Sequence, residues 1–383
     1  MNPTPAPTGD PDSARHPGSD STGHDATLSS NTGKPDQAGS SASQHAGTSQ
    51  SASDANSASR NAGADGSRAS QNDSVDADSG DPVKVVYILG RGRSGSTTLG
   101  QSLGAGRGFF YAGEVRYLWD PALTHNTPCA CGAQLSECPV WGKVLAELTH
   151  LDLDWIVRCQ REVLQESKLA RLLRSRAPES WPALAAFRDA TSELYAAIAK
   201  VTGCRVIVDS SKRPSHALVL GQVPALTPYY IHLVRDPRAS AYSWRSRQYQ
   251  GGAGGEIRQR TSLDATLRWL LLNLGSELVT YRTGRAHSRR MKYEDFIASP
   301  RATIAGLAGW VGETLDDSVF VDERTVRVPT SHAVAGNPVR SRTGEVVLRD
   351  SAEWYKHQPS MDRLIATTVA APVLHRYGYQ FKP

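Results

Sequence analysis

The sequence predicts a three-layer α/β protein: a central parallel sheet with helices on both faces, a helical insertion, and a disordered N-terminal tail. Three observations predict it. A short apolar, β-branched run at 85–89 passes directly into a Gly/Ser/Thr loop. Apolar residues then resume four apart at Leu99 and Leu103, as on the inner face of a helix. Short apolar runs at 109–112, 205–208, 229–234 and 290–293 alternate with helical patterns at 140–175, 180–200, 214–221, 237–246, 262–283 and 300–311, the order expected of a parallel sheet covered on both faces. The composition also breaks sharply near residue 80.

Residues 1–80 contain no Ile, Phe, Trp, Tyr or Cys, and their larger apolar residues are Met1, Leu28 and Val75. Such a segment buries too little apolar surface to offset its conformational entropy, so disorder is expected. It has neither the basic start nor the apolar centre of a signal peptide. Ten Asp against four Lys and Arg give this tail −6, so the net +5 of the chain leaves +11 on the remainder. A basic remainder suits an anionic ligand, while the sparse charges of the tail exclude a polybasic arm. Residues 81–383 are read as one domain, within which 140–200 forms the helical insertion; its Leu and Ala stripes read as core packing. No run reaches the ~18 apolar residues of a membrane span. Five cysteines without a secretory signal fit a reducing compartment, so a cytoplasmic location is expected.

The loop Gly90-Arg-Gly-Arg-Ser-Gly-Ser-Thr-Thr98 joins the first strand to the first helix. Free backbone N–H groups, the positive end of the helix dipole and the Ser and Thr hydroxyls converge there, which makes an anion cradle. Gly90 and Gly95 have Walker spacing, but Ser96 stands where the lysine belongs and Thr97 follows it. The cation lies inside the loop instead, at Arg93, which argues against nucleotide hydrolysis. The second strong segment is Tyr229-Tyr-Ile-His-Leu-Val-Arg235-Asp-Pro-Arg-Ala-Ser-Ala-Tyr-Ser243. Here a strand ends at Arg235, and Asp236 and Pro237 are a good N-cap and first helical residue. The carboxyl edge of a parallel sheet is where ligands bind, and a guanidinium with a nearby hydroxyl suits phosphate oxygens.

These two motifs, in this order, resemble the nucleotide-binding motifs of the sulfotransferases that use 3′-phosphoadenosine 5′-phosphosulfate (PAPS). The resemblance spans most of 83–355 and implies a P-loop-like fold. Arg93, Ser94, Gly95, Ser96, Thr97 and Thr98 match the 5′-phosphosulfate loop, and Arg235 and Ser243 match the 3′-phosphate motif. Three looser similarities accompany them. Asp209-Ser-Ser-Lys212 resembles a turn of bacterial members, although Asp209 also mimics a Walker B aspartate. Tyr293-Glu-Asp-Phe296 resembles a common strand-to-helix segment, read as structural. Gly336-Asn-Pro-Val-Arg340, with Asp350 and Trp354, resembles a late loop over the adenosine side, with Arg340 a candidate cation for the 3′-phosphate.

Sulfuryl transfer needs a base for the acceptor proton, positive charge on the moving oxygens and help for the leaving phosphate. No metal is required in principle. Glu114, after the second strand, is the expected base; its Gly-Glu placement resembles that of the tyrosylprotein branch. The bland alternative is a salt bridge to Arg116 or Arg93. Lys212 and Arg93 are the expected catalytic cations, and His216 is the alternative base. His232, within a strand pattern, reads as a core histidine. The glycine-rich stretch 247–256 is placed to serve as a mobile lid. His125, Cys129, Cys131 and Cys138 offer four zinc ligands, but C-x-C-x6-C is not a common finger spacing, and free thiols are the expected state.

The expected partner is a small-molecule, lipid or carbohydrate acceptor bearing a hydroxyl or amine, with no nucleic acid and no transmembrane segment. The oligomeric state is left open. Two other functions are compatible with the sequence: a P-loop NTPase or phosphotransferase using Asp209, and a non-catalytic nucleotide- or polyanion-binding protein.

Overall fold

The structure is a computed structural model, and it describes residues 82–119, 127–175, 178–245, 259–350 and 353–381. The tail, His125 and the whole of the proposed lid at 247–256 lie outside the described residues. The elements run β1 (Val83–Gly90), α1 (Ser96–Gly104), β2 (Phe109–Gly113), α2 (Trp141–Glu147), α3 (Leu153–Val163), α4 (Leu169–Arg174), α5 (Pro182–Thr202) and β3 (Val206–Lys212). They continue with α6 (Pro214–Leu220), β4 (Leu226–Val234), α7 (Pro237–Arg245), α8 (Ser262–Thr283), β5 (Ser288–Lys292), α9 (Tyr293–Ala298) and α10 (Pro300–Trp310). Last come β6 (Thr325–Val328), β7 (Gly344–Val347), α11 (Glu353–His357) and α12 (Ser360–Leu374).

Five parallel strands form the main sheet in the order β2-β3-β1-β4-β5. The central strand explains its own sequence. Val85 to Leu89 are at most 2% exposed, because both faces are covered, and so the run is continuously apolar instead of alternating. Val85, Tyr87 and Leu89 pack with Ile156, Leu184 and Ile198 on one face. Val86 and Ile88 pack with Leu99, Leu103, Phe296 and Ile304 on the other. The residues of 140–200 therefore share one core layer with the sheet.

From β1 the chain turns first toward β2 and β3, then crosses to β4 and β5 on the other side. Such a reversal opens a crevice at the carboxyl ends of the strands, and the loop after β1 emerges into it.

Three expectations need adjustment. The helical pattern at 140–175 is three helices; the break after α2 is renewed at Asp152, whose side chain accepts a hydrogen bond from the Trp155 N–H, 2.9 Å away, and so caps α3. The antiparallel pair β6–β7 was not anticipated, and neither was α12.

The side chain of Asp209, within β3, centres a buried polar group. Asp209 accepts hydrogen bonds from Tyr195 Oη (2.6 Å), Ser211 N (2.8 Å) and Ser211 Oγ (2.5 Å), with His216 Nδ1 4.0 Å away. Burial pushes the Asp209 carboxyl up to about 6. Burial, with a smaller contribution from Arg116, pulls the His216 imidazole down to about 3 from its ordinary 6.5. Below pH 6.5 the unfolded chain therefore binds a proton at His216 that the folded chain refuses, so stability from this group is lost as pH falls from 6.5 toward 3. Asp209 works in the opposite sense as pH falls through 6. Urea midpoints measured across this range should decline less steeply with acid for His216→Gln than for the unmodified chain. Identical slopes would contradict the buried neutral imidazole.

Candidate functional site

Backbone geometry shapes the loop after β1. Gly90 has φ 134°, and a Cβ there would meet the Leu233 carbonyl oxygen at 2.5 Å. Gly95 has φ 87°, and a Cβ there would sit 2.2 Å from the Tyr293 ring. Only glycine meets both demands. Gly95 is also the N-cap of α1, and no side chain caps the helix. The first intrahelical bond runs from Leu99 N to Gly95 O at 3.0 Å, so the helix supplies no acceptor for the N–H groups of Ser96, Thr97 and Thr98. These three residues and Gly95 line a cleft of about 1310 Å³. Ser94, only 2% exposed, keeps an unpartnered Oγ beneath the loop. The arrangement fits an anion held at the helix N-terminus.

Arg93 has φ 74°, a conformation that disfavours a residue with a Cβ. It is held there from outside. Its carbonyl accepts from Arg235 Nη1 at 3.2 Å, and Trp244 Nε1 donates to the Gly92 carbonyl at 3.0 Å. The Trp244 ring carries Arg91 at 4.2 Å and both Arg93 and Arg260 at 5.4 Å. Burial, then repulsion from Arg260, Arg268 and Arg213, lowers the Arg91 guanidinium to about 9. So concentrated a positive field favours an anionic ligand.

Arg235 closes β4. Its guanidinium lies 4.6 Å from the Tyr293 ring, and its Nη2 is 3.7 Å from Asp350 Oδ1. Its Nε is buried without a partner. Asp236 caps α7 as expected, accepting from Arg238 N at 2.8 Å. Ser243, on α7, lines the same cleft.

Glu114 and Lys212 meet across the ends of β2 and β3, with Nζ 2.7 Å from Oε1. Both line the cleft, and their side chains are 14% and 10% exposed. The expected partners of Glu114 in a salt bridge were Arg116 or Arg93; the structure supplies Lys212. Irregular strand register produces this meeting. Between β1 and β3 the register steps from Tyr87↔Asp209 to Leu89↔Lys212. Between β2 and β3 it steps from Tyr111↔Val208 to Gly113↔Asp209. Each step adds one residue to one strand, and such bulges redirect the side chains that follow. Lys212, at φ 70°, shares the left-handed conformation of Arg93.

Three sequence candidates are placed elsewhere. Arg340 is 2% exposed and donates to the Pro128 carbonyl at 2.9 Å and the Gly336 carbonyl at 3.4 Å. Its backbone carbonyl accepts from Gln101 Nε2 at 2.9 Å. It ties the late loop to the rest of the fold, and Arg342 and Arg349 line the cleft in its place. His216 is 2% exposed, packed edge-on to Tyr87 with ring centroids 5.5 Å apart. Asp209, within β3, is fully buried and does not line the cleft, unlike a metal-positioning Walker B residue. His232 is a core histidine, bonded to Asn273 Oδ1 at 2.8 Å.

Sequence reasoning missed Tyr293 and Trp244 as site residues. Tyr293 was read as structural, yet its ring touches both Gly95 and Arg235. Trp244 stands directly after Ser243, and an aromatic residue beside a phosphate motif is the signal that was available.

A search of curated protein sequences finds no significant match. The fold is similar to the sulfotransferase domain from the curacin biosynthetic pathway, with TM-score 0.46 and 16% identity over 78% of this chain and 99% of that one. It is also similar to the sulfotransferase domain of the Synechococcus PCC 7002 olefin synthase (TM-score 0.41, 20% identity, 76% and 94% covered). A sulfotransferase from Mycobacterium avium is a third (TM-score 0.40, 13% identity, 78% of each chain covered). Residues 85–317, more than half of the sequence, match the model of the sulfotransferase family, and the chain belongs to that family.

Proposed function

We propose that the chain transfers a sulfuryl group from PAPS to a hydroxyl or amine of an acceptor. The observation that carries this reading is the Glu114–Lys212 pair, which faces the same cleft as the uncapped α1 N-terminus and Arg235. In this reading the N–H groups at 96–98 and Arg93 hold the 5′-phosphosulfate, with Ser94 bracing the loop from beneath, and Arg235 with Ser243 binds the 3′-phosphate. The unpartnered Arg235 Nε supports the second assignment, because buried polar groups are ordinarily paired.

Glu114 takes the proton of the acceptor as its oxygen or nitrogen bonds to sulfur. The bond from sulfur to the bridging phosphate oxygen breaks, and 3′-phosphoadenosine 5′-phosphate leaves with that electron pair. Lys212 and Arg93 stabilise the charge that builds on the moving and leaving oxygens. Leu271, Leu274 and Leu278 of α8, with Leu169, line another wall of the cleft, which supports an acceptor with an apolar body.

Two substitutions test the assignment. Glu114→Gln keeps the size and an acceptor atom but removes the base. Turnover should fall ~10²–10⁴-fold, with the affinity for 3′-phosphoadenosine 5′-phosphate retained in calorimetry. Near-normal turnover would reduce Glu114 to a counter-ion of Lys212. Arg235→Ala should weaken binding of that nucleotide by ~2–3 kcal/mol, while adenosine 5′-phosphosulfate, which lacks the 3′-phosphate, should lose much less, only what the bond from Arg235 to the Arg93 carbonyl contributes. Equal losses for both would remove Arg235 from the 3′-phosphate.

A further inference from the structure

Three of the five cysteines converge at a point the reaction does not use. Cys129 Sγ and Cys138 Sγ are 3.5 Å apart, and Cys131 Sγ is 3.9 Å from Cys138 Sγ. His332, 194 residues beyond Cys138, brings its Nδ1 to 3.3 Å from Cys138 Sγ and 4.0 Å from Cys129 Sγ. All four atoms lie within 4.8 Å of one another. Zinc bonds of about 2.3 Å to sulfur and 2.0–2.1 Å to nitrogen in a tetrahedron give edges of roughly 3.8 Å between sulfurs and 3.5 Å from sulfur to nitrogen. The cluster has the dimensions of a coordination shell around one such ion. A disulfide between any two of these cysteines would leave a third thiol and the imidazole without a reason to converge.

The local backbone is built for the same arrangement. Cys129 N donates to Ala133 O at 2.9 Å and Gly132 N to Cys129 O at 3.0 Å, which makes a tight turn. Gly132 takes φ 94° with open space where a Cβ would be. The turn directs Cys129 and Cys131 to one side, and the following loop returns Cys138 to it. Trp141 Nε1 donates to the His332 carbonyl, which fixes the histidine backbone. Cys129 and Cys138 are 2% and 1% exposed, whereas Cys131 and His332 are half-buried and give an ion a path in.

We propose that Cys129, Cys131, Cys138 and His332 bind one structural zinc ion. Three thiols and one imidazole complete a tetrahedron with no open position, the pattern of a structural and not a catalytic site, and thiolate-rich tetrahedral sites select zinc among the common divalent ions. Each cysteine gives up its proton on binding. The ion fastens the 127–138 loop to the segment around His332, and that segment continues the end of β2. Ala130 N donates to Ala333 O at 3.2 Å, Val334 N to Ala112 O at 2.9 Å, and Glu114 N to Val334 O at 2.9 Å. Zinc thus supports the backbone that carries Glu114, with no part in sulfuryl transfer.

The test uses the full chain purified without chelator and dialysed against metal-free buffer. Elemental analysis should find one zinc per chain, and cobalt substituted for it should show the thiolate-to-metal and visible bands of a tetrahedral sulfur-rich site. Cys131→Ser and His332→Ala should each release most of the metal under dialysis, whereas Cys204→Ser, remote from the cluster, retains it. A strong chelator should lower the thermal midpoint of the unmodified chain and make three further thiols reactive. A folded chain without metal, whose thermal midpoint responds neither to zinc nor to chelator, would overturn the proposal. Zinc retained in full by both Cys131→Ser and His332→Ala would overturn it equally.

Discussion

The ion pair of Lys212 with Glu114 depends on β3 losing register with both of its neighbours, β1 and β2, at the same level of the sheet. In regular strands, side chains alternate between faces and do not aim along the strand axis. The two bulges end that alternation at the carboxyl edge and turn a carboxylate and an ammonium toward each other over the cleft. Holding Lys212 and Arg93 in the left-handed conformation costs about 1 kcal/mol or more each. The stabilisation that offsets it is in the core beneath, where Val206, Ile207 and Val208 are fully buried. A rigid, apolar sheet is therefore the condition for a strained, polar edge.

The same edge is held from three sides. The Tyr293 ring fills the space that Gly95 leaves and lies against Arg235, so the anion loop and the strand carrying the second cation share one support. Trp244 ties the Gly92 carbonyl to α7 and gathers three arginines around one ring. On the far side, the hydrogen bonds of Val334 extend the sheet edge beyond β2, and Gly336 lies against the Glu114 carboxylate. A Cys/His clip on that third side would complete a frame in which each charged group of the cleft is backed by a packed or cross-linked segment.

Much of this was legible in the sequence because it depends on local chemistry. The unbroken apolar run of β1, the glycines flanking Arg93, and the Asp-Pro start of α7 each specify their own backbone. What stayed hidden depends on distance along the chain. Among the described residues, the histidine beside the three cysteines is His332, and no spacing rule connects residues 194 apart. The bulges that aim Lys212 arise from pairing among three strands. Arg340 was a candidate for the 3′-phosphate because its segment resembles a late loop over the adenosine side, but the fold turns it to the carbonyls of Pro128 and Gly336. The pair β6–β7 was missed because its strands are four residues long and β7 is mostly exposed; α12 carries an internal Pro372, which disguises its periodicity.

The central claim is that the cleft performs sulfuryl transfer and does not merely bind an anion. The most direct measurement is incubation of the chain with PAPS carrying radioactive sulfur, together with a fractionated metabolite extract, following label and nucleotide at once. The account predicts label in an acceptor fraction, released 3′-phosphoadenosine 5′-phosphate in equal amount, and no hydrolysis of ATP in a parallel reaction. Donor that binds tightly yet stays intact with every fraction would contradict it and leave a nucleotide-binding protein on a sulfotransferase fold.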